Sequence, residues 1–257
     1  MAKNNWSRDE HIVAFNLYCK IPFTKINANY PPVKELAQIM GRSNGSIAMK
    51  LANFARLDPD LKARNVSGLS QGAKGEEEVW NEFKDNWNEL AWESEQILAK
   101  YKGQSVEASS GINLDNIPHE GLERETLIKA RVNQYFFRKA ILSSYNSSCC
   151  ITGITFPELL VASHVVPWSK DTGNRVNPSN GVCLNSLHDK AFDTGLITIT
   201  PDYKVKLSDK LLMNSNSTFI SLFLPYHGKS IQLPKRFLPD KSLLKWHNEN
   251  VFVGSGI

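Results

Sequence analysis

Ala162-Ser163-His164-Val165-Val166-Pro167-Trp168, then Asn177-Pro178-Ser179-Asn180-Gly181, then Leu187-His188-Asp189-Lys190-Ala191-Phe192-Asp193, is the stretch on which the reading of this chain turns. A histidine, an asparagine and a second histidine follow one another at spacings of sixteen and eight residues. Pro157 to Ala162 is a short apolar run after a glycine turn, which suits a strand that delivers His164 to its end. Lys170 to Asn180 is rich in Gly, Asn, Ser, Asp and Pro and reads as a loop. Ser186 is placed to cap a helix that begins near Leu187 and carries His188, Phe192 and Asp193. Strand, loop and helix would bring His164 and His188 together.

That order and spacing resemble the HNH nuclease motif, a ββα-metal site. The flanking words, Cys150-Ile151-Thr152-Gly153 before it and Phe192-Asp193-Thr194-Gly195-Leu196-Ile197 after it, are similar to the restriction-type branch of that family. The resemblance runs from Arg124 through Leu224-Pro225-Tyr226-His227-Gly228 to Leu244-Lys245-Trp246-His247, roughly half the chain, with only the central motif specific. It implies that His164 is the general base and that Asn180 orients it or its loop. It also implies that His188 binds a divalent cation, Mg²⁺ or Mn²⁺. Ser163 stands where many such sites carry a His or Asp metal ligand, and a hydroxyl is a poor ligand for a hard cation. Asp193 is the carboxylate offered in its place, although five residues from His188 is not one helix face. Lys170 and Arg175 are candidates for phosphate contact.

Hydrolysis of a phosphodiester requires a base for water and a cation for the charge that develops on the phosphate. A neutral imidazole suits the first task, since its ordinary pKa of ~6.5 lies near working pH. Any one histidine read alone is more simply a hydrogen-bonded structural residue. His11, His119, His227 and His247 have no motif around them and are assigned to surface or structure.

The N-terminal region has a pattern of its own. Ser7 to Glu10 reads as a capping box ahead of an apolar-periodic helix. Val33 to Met40 forms a second helix after Tyr30-Pro31-Pro32, Gly41 to Gly45 a polar turn, and Ser46 to Arg56 a third helix. This is a helix-turn-helix-like order, with Arg42, Ser43, Asn44, Ser46 and Lys50 as the side chains for DNA. A plain three-helix bundle with no ligand is the alternative. Val66 to Gly75 is a flexible stretch with room for a wing. Glu76 to Tyr101 reads as one long acidic helix whose stripe of Val79, Trp80, Phe83, Trp87, Leu90 and Leu98 is core or an interdomain contact.

At 257 residues the chain is long enough for one large domain or two modest ones. The expected layout is a DNA-binding helical domain over 1–102, a linker over 103–122 and the nuclease domain over 123–257. The fold class is α+β, with a winged-helix or helix-turn-helix-like N-terminal domain and a C-terminal ββα-metal domain. Residues 1–64 carry ten Lys/Arg against five Asp/Glu, 65–100 three against eight, and 101–257 seventeen against thirteen. Two basic ends around an acidic middle are compatible with two DNA-contacting regions. No apolar run reaches membrane-spanning length and Met1 to Trp6 lacks a signal-peptide core, so no membrane partner and a cytoplasmic location are expected. Cys19, Cys149, Cys150 and Cys183 contain no CxxC pair, so no structural zinc is expected and all four are read as reduced.

The expected function is metal-dependent cleavage of double-stranded DNA in a restriction role, the N-terminal domain choosing a sequence or a modified base. A homodimer would let single sites cut both strands. Two alternatives remain: a DNA-binding regulator with an inactive HNH-like domain, for which Ser163 is the motive, and a homing or nicking enzyme.

Overall fold

The structure is a computed structural model that describes residues 5–66, 72–112, 121–213 and 216–254. Chain packing divides it into two compact units, Met1–Ser143 and Ser144–Ile257. Parts of two expected segments, the stretch 66–75 and the linker 103–122, lie outside the described residues, as does His119. No helix among the described residues is long and apolar enough to cross a membrane.

The first unit is helical: α1 (Arg8–Lys20), α2 (Pro31–Met40), α3 (Asn44–Ala55), α4 (Pro59–Ala63), α5 (Lys74–Phe83), α6 (Trp87–Lys102), α7 (Val106–Ser110) and α8 (Leu122–Ser144), of which all but the last residue belongs here. The capping box forms as the sequence predicts: Ser7 accepts from Glu10 N–H, and Glu10 returns the bond to Ser7 N–H at 2.8 Å. The third helix starts two residues before its expected position because Ser43 caps it, accepting from Ser46 N–H. The single helix expected over 76–101 is two, α5 and α6, broken at Lys84-Asp85-Asn86. The break lets both halves turn their aromatic residues inward. Phe15 is the centre of that core, with ring centroids 4.8 Å from Phe54, 5.0 Å from Trp80 and 6.0 Å from Trp87. Stripe and core coincide, and such ring pairs add roughly 0.5–1.5 kcal/mol each beyond area burial.

The second unit mixes small sheets and helices. Strand β1 (Leu160–His164) runs antiparallel to β2 (Gly181–Asn185), with Ser163 opposite Val182 and His164 opposite Gly181. Helix α9 (Ser186–Asp193) follows β2 directly and packs on the pair. A second hairpin, β3 (Ile197–Ile199) with β4 (Val205–Leu207), leads to α10 (Asp209–Leu212), α11 (Ser217–Phe223) and α12 (Lys241–Asn250). Residues 157–159 form a 3₁₀ turn, so the strand begins three residues later than the apolar run suggests. Gly195 turns the chain out of α9 at φ +70°, and a Cβ there would stand 2.0 Å from the Val251 carbonyl oxygen, so only glycine fits.

His247 joins these pieces. Its ring stacks on Phe192 at 3.8 Å, its Nδ1 accepts from Thr198 Oγ1 at 2.8 Å, and its Nε2 faces the Phe192 carbonyl at 3.2 Å. Asn248 reinforces the joint by donating to Thr198 Oγ1 and to the Ile199 carbonyl, both at 2.8 Å. The structural role expected for His247 is the one it fills.

Candidate active site

His164 ends β1, where the strand leaves its partner and the loop begins. Its Nε2 lies 2.8 Å from the Arg175 carbonyl oxygen. A carbonyl only accepts, so Nε2 carries the hydrogen and Nδ1 is the basic nitrogen of the neutral ring. Burial lowers the His164 pKa, against the opposing pull of the Arg175 carbonyl and the Asp189 carboxylate. The ring is therefore neutral at pH 7, as a general base must be.

The loop that supplies the Arg175 carbonyl is fixed by Asn180, whose side chain is fully buried. Its Oδ1 accepts from Val166 N–H at 2.8 Å, and its Nδ2 donates to the Val166 and Asn174 carbonyls, each at 3.1 Å. Its own carbonyl accepts from Val165 N–H at 2.9 Å. One asparagine thus ties the two residues after His164 to the loop that holds His164. Arg175 closes the same loop: its Nε donates to the Trp168 carbonyl at 2.8 Å and its guanidinium sits 5.3 Å from the Trp168 ring. That bond draws Arg175 toward the loop rather than toward a ligand, whereas Lys170 is exposed.

Helix α9 presents its side chains differently from the sequence expectation. The cap is Asn185, one residue earlier than expected, whose Oδ1 accepts from Leu187 N–H at 3.1 Å and His188 N–H at 3.0 Å. The same oxygen lies 3.2 Å from His188 Nδ1. His188 is buried, with its ring 4.9 Å from Phe223 and 5.6 Å from Tyr226, and it borders an apolar cavity with Leu159, Leu187 and Leu222. Burial pushes its pKa down to about 4. Its Nε2 is buried without a hydrogen-bond partner among the described residues.

Asp189, one position on, lies near enough to His164 for the two groups to interact electrostatically. Burial holds its carboxyl above the ordinary value, while the Ser163 hydroxyl, Lys190 and His164 favour the carboxylate. Asp193, four residues later and so on the same helical face, is raised by burial and then by the charge of Asp189, with Lys190 opposing. Ser163 is buried on β1 beside Asp189, its Oγ making no hydrogen bond of normal geometry among the described residues. No group of three or more His, Cys, Asp or Glu side chains among the described residues is disposed to hold a metal. Mg²⁺, however, is commonly held by one or two carboxylates, with water and phosphate oxygens filling its other positions. Asp189 and Asp193, two carboxylates on one face of α9, are donors of that kind. Asp189 is not among the sequence-expected ligands, although its i and i+4 pairing with Asp193 is visible in the sequence.

In the first unit the DNA candidates divide. Arg42 donates to both oxygens of Glu10, at 2.7 and 2.8 Å, and lies 4.4 Å from the Trp6 ring. Lys50 is buried and bonded to Glu76 and to His11 Nε2. Glu76 also accepts from Asn53 at 2.9 Å, and the pair keeps its carboxyl ionised against the burial that would raise it. These two cations are engaged in ion pairs that hold α1, α3 and α5 together. Ser43 is consumed as a cap. Asn44 and Ser46 are partly exposed, beside an exposed Met49.

The cysteines of the second unit, Cys149, Cys150 and Cys183, are buried, as is Cys19 in the first. Cys150 N–H donates to the Cys183 carbonyl at 2.8 Å, and burial raises the Cys150 thiol well above its usual value.

A comparison with curated proteins gives no match for this chain. A family model described as HNH endonuclease matches residues 149–200, the segment that holds β1, the Asn180 loop, β2, α9 and the start of the second hairpin. The second unit therefore holds a segment similar to HNH endonucleases.

Proposed function

We propose that this chain is a metal-dependent DNA endonuclease of restriction type. The observation that carries the reading is the His164 Nε2 bond to the Arg175 carbonyl, which leaves Nδ1 as the acceptor on a ring that burial keeps neutral. In this reading Nδ1 takes the proton of the attacking water. Asn180 keeps the His164 loop closed, so the imidazole does not swing. Asp189 and Asp193 would hold a divalent cation, Mg²⁺ or Mn²⁺. When bound, the cation supplies positive charge to the phosphate and leaving oxygen. Lys170, exposed on the loop, meets a neighbouring phosphate.

The first unit would choose the DNA. Asn44 and Ser46 at the start of α3 are the members of the expected set that solvent reaches and that no ion pair consumes. Double-stranded DNA, unmodified or modified, is the proposed partner, and a homodimer the proposed route to cutting both strands.

The test is incubation of the full chain with unmethylated, N6-methyladenine-containing and modified-cytosine DNA in Mg²⁺ or Mn²⁺. Linear products that require metal support the reading, and preference among substrates reports the choice made by the first unit. Nicked circles alone favour a nicking enzyme. Tight binding without cutting of any substrate favours a regulator.

A further inference from the structure

The helical unit contains a cavity of about 230 Å³ that no part of the nuclease chemistry uses. It is bounded by α1, α2, α6, α7 and α8. Its walls are aliphatic, chiefly Leu17, Leu36, Ile39 and Leu98, and its inner end is polar. There Glu95, with a side chain 7% exposed, is paired with Lys20 at 2.5 Å and accepts from Ser110 Oγ at 3.2 Å. Asn16, buried beside them, leaves its Oδ1 without a hydrogen-bond partner among the described residues. Tyr135, 44% exposed, stands at the mouth and carries the Lys20 ammonium 5.4 Å from its ring centroid.

A helical bundle of this size needs no buried ion pair at the end of an open apolar slot. Burying Glu95 and Lys20 costs free energy that only their mutual attraction and further hydrogen bonds recover. The charged side chains around the cavity are Lys20 and Lys102 against Glu35 and Glu95, two of each sign, so the site as a whole favours neither anion nor cation. Its occupant is neutral. An acceptor carboxylate beside a donor ammonium suits an edge that presents a donor next to an acceptor, and the aliphatic walls suit an apolar face. The volume lies below the ~300–1,000 Å³ of ordinary small-molecule pockets and matches one ring system rather than a whole nucleotide.

We propose that the cavity between α1, α2 and α6 binds a neutral nucleobase by its hydrogen-bonding edge, with Glu95 and Lys20 as the reading pair. The base comes either from DNA, extruded from the stack, or from a free nucleoside. Extrusion costs a few kcal/mol, least at a damaged or modified position, and so selects such positions. The DNA form rests on the proposed nuclease function, and the nucleoside form does not.

The test uses the full chain carrying His164→Ala, so that no outcome depends on cleavage. The four deoxynucleosides are titrated by calorimetry, and a duplex containing 2-aminopurine is followed by its fluorescence, which rises when the base leaves the stack. Ile39→Trp fills the slot from its wall and is expected to weaken either signal roughly tenfold or more. Tyr135→Phe, at the exposed mouth, keeps the ring and is expected to weaken it about fivefold, which keeps the test open should the tryptophan disturb packing. A fluorescence rise that Ile39→Trp lacks identifies the base as one extruded from DNA. Saturable nucleoside binding without that rise identifies it as a free nucleoside. Absence of both signals, or binding that neither substitution weakens, overturns the inference. Because the chain carries His164→Ala, that result leaves the nuclease reading untouched.

Discussion

Asn180 and Val166 are joined in both directions: Val166 N–H donates to Asn180 Oδ1 at 2.8 Å, and Asn180 Nδ2 donates to the Val166 carbonyl at 3.1 Å. A side-chain amide is the one group of this size that offers an acceptor and a donor in the same plane. Aspartate has the shape and lacks the donor. We expect Asn180→Asp, despite its near-identical volume, to turn a carboxylate oxygen toward the Val166 and Asn174 carbonyls. The cost should be roughly 3 kcal/mol, since buried polar groups lose their partners, and cleavage should fall about 100-fold. Urea unfolding and single-turnover cleavage check both. A wild-type-like Asn180→Asp protein would show that the loop does not depend on this pair.

Asp189 and His188 are expected to behave oppositely. Asp189→Asn removes one of two repelling carboxylates, so the fold should be unharmed while Mn²⁺ affinity and cleavage fall about 100-fold. His188→Ala opens a hole against Phe223 and Tyr226 and should destabilise the second unit by roughly 2–3 kcal/mol, with Mn²⁺ affinity retained. Calorimetric Mn²⁺ titration of both variants, beside their unfolding curves, separates the roles. Loss of Mn²⁺ binding in His188→Ala with stability intact would return the ligand role to the histidine.

The second unit should weaken in mild acid. His188 and His247 titrate near 4 in the folded chain, and burial is the main cause at each. In the unfolded chain they take up protons near ~6.5, so the unfolded state binds more protons through that interval and stability falls as pH drops. The contribution is fully present above pH ~6.5 and is lost progressively down to about 4, on the order of 3 kcal/mol for each histidine. Unfolding of the second unit, followed at pH 7.5 and pH 5, should show this loss. A stability that is flat across the interval would mean that the rings are already hydrated.

Lys50 should act on stability. Glu76→Ala or Lys50→Ala leaves one buried charge alone and should cost roughly 3–5 kcal/mol in the first unit, whereas replacing both by apolar residues should restore much of it. A double-mutant cycle by denaturation gives the coupling. If Lys50→Ala were stable and merely weakened DNA binding, α3 would be using it as a recognition residue after all.

The differences between the expected and the observed elements share a physical origin. The histidine at a strand end, the loop and the helix after it were legible because each rests on local signals: alternation, turn residues, a cap within one or two positions. Ser7 with Glu10 was legible for the same reason. The orientation of α9 was not, because β2 is buried along its whole length and its pattern does not say which face of the next helix meets His164. Asn185 settles it by holding both the helix start and the His188 ring. Lys50 was read as a surface cation because its partner, Glu76, lies 26 residues away. The break between α5 and α6 escaped notice because Lys84-Asp85-Asn86 contains neither Gly nor Pro.

The central claim is that His164 is the base of a nuclease, and single-turnover plasmid cleavage tests it most directly, wild type against His164→Ala, in Mn²⁺ across pH 5 to 8. Because burial lowers the His164 pKa, the wild-type rate should stay high below pH ~6.5 and decline only in more acidic buffer. The alanine variant should be slower by about 100-fold or more, with no acid limb of that kind. An alanine variant that cuts as fast as the wild type, with the same pH profile, would contradict the account.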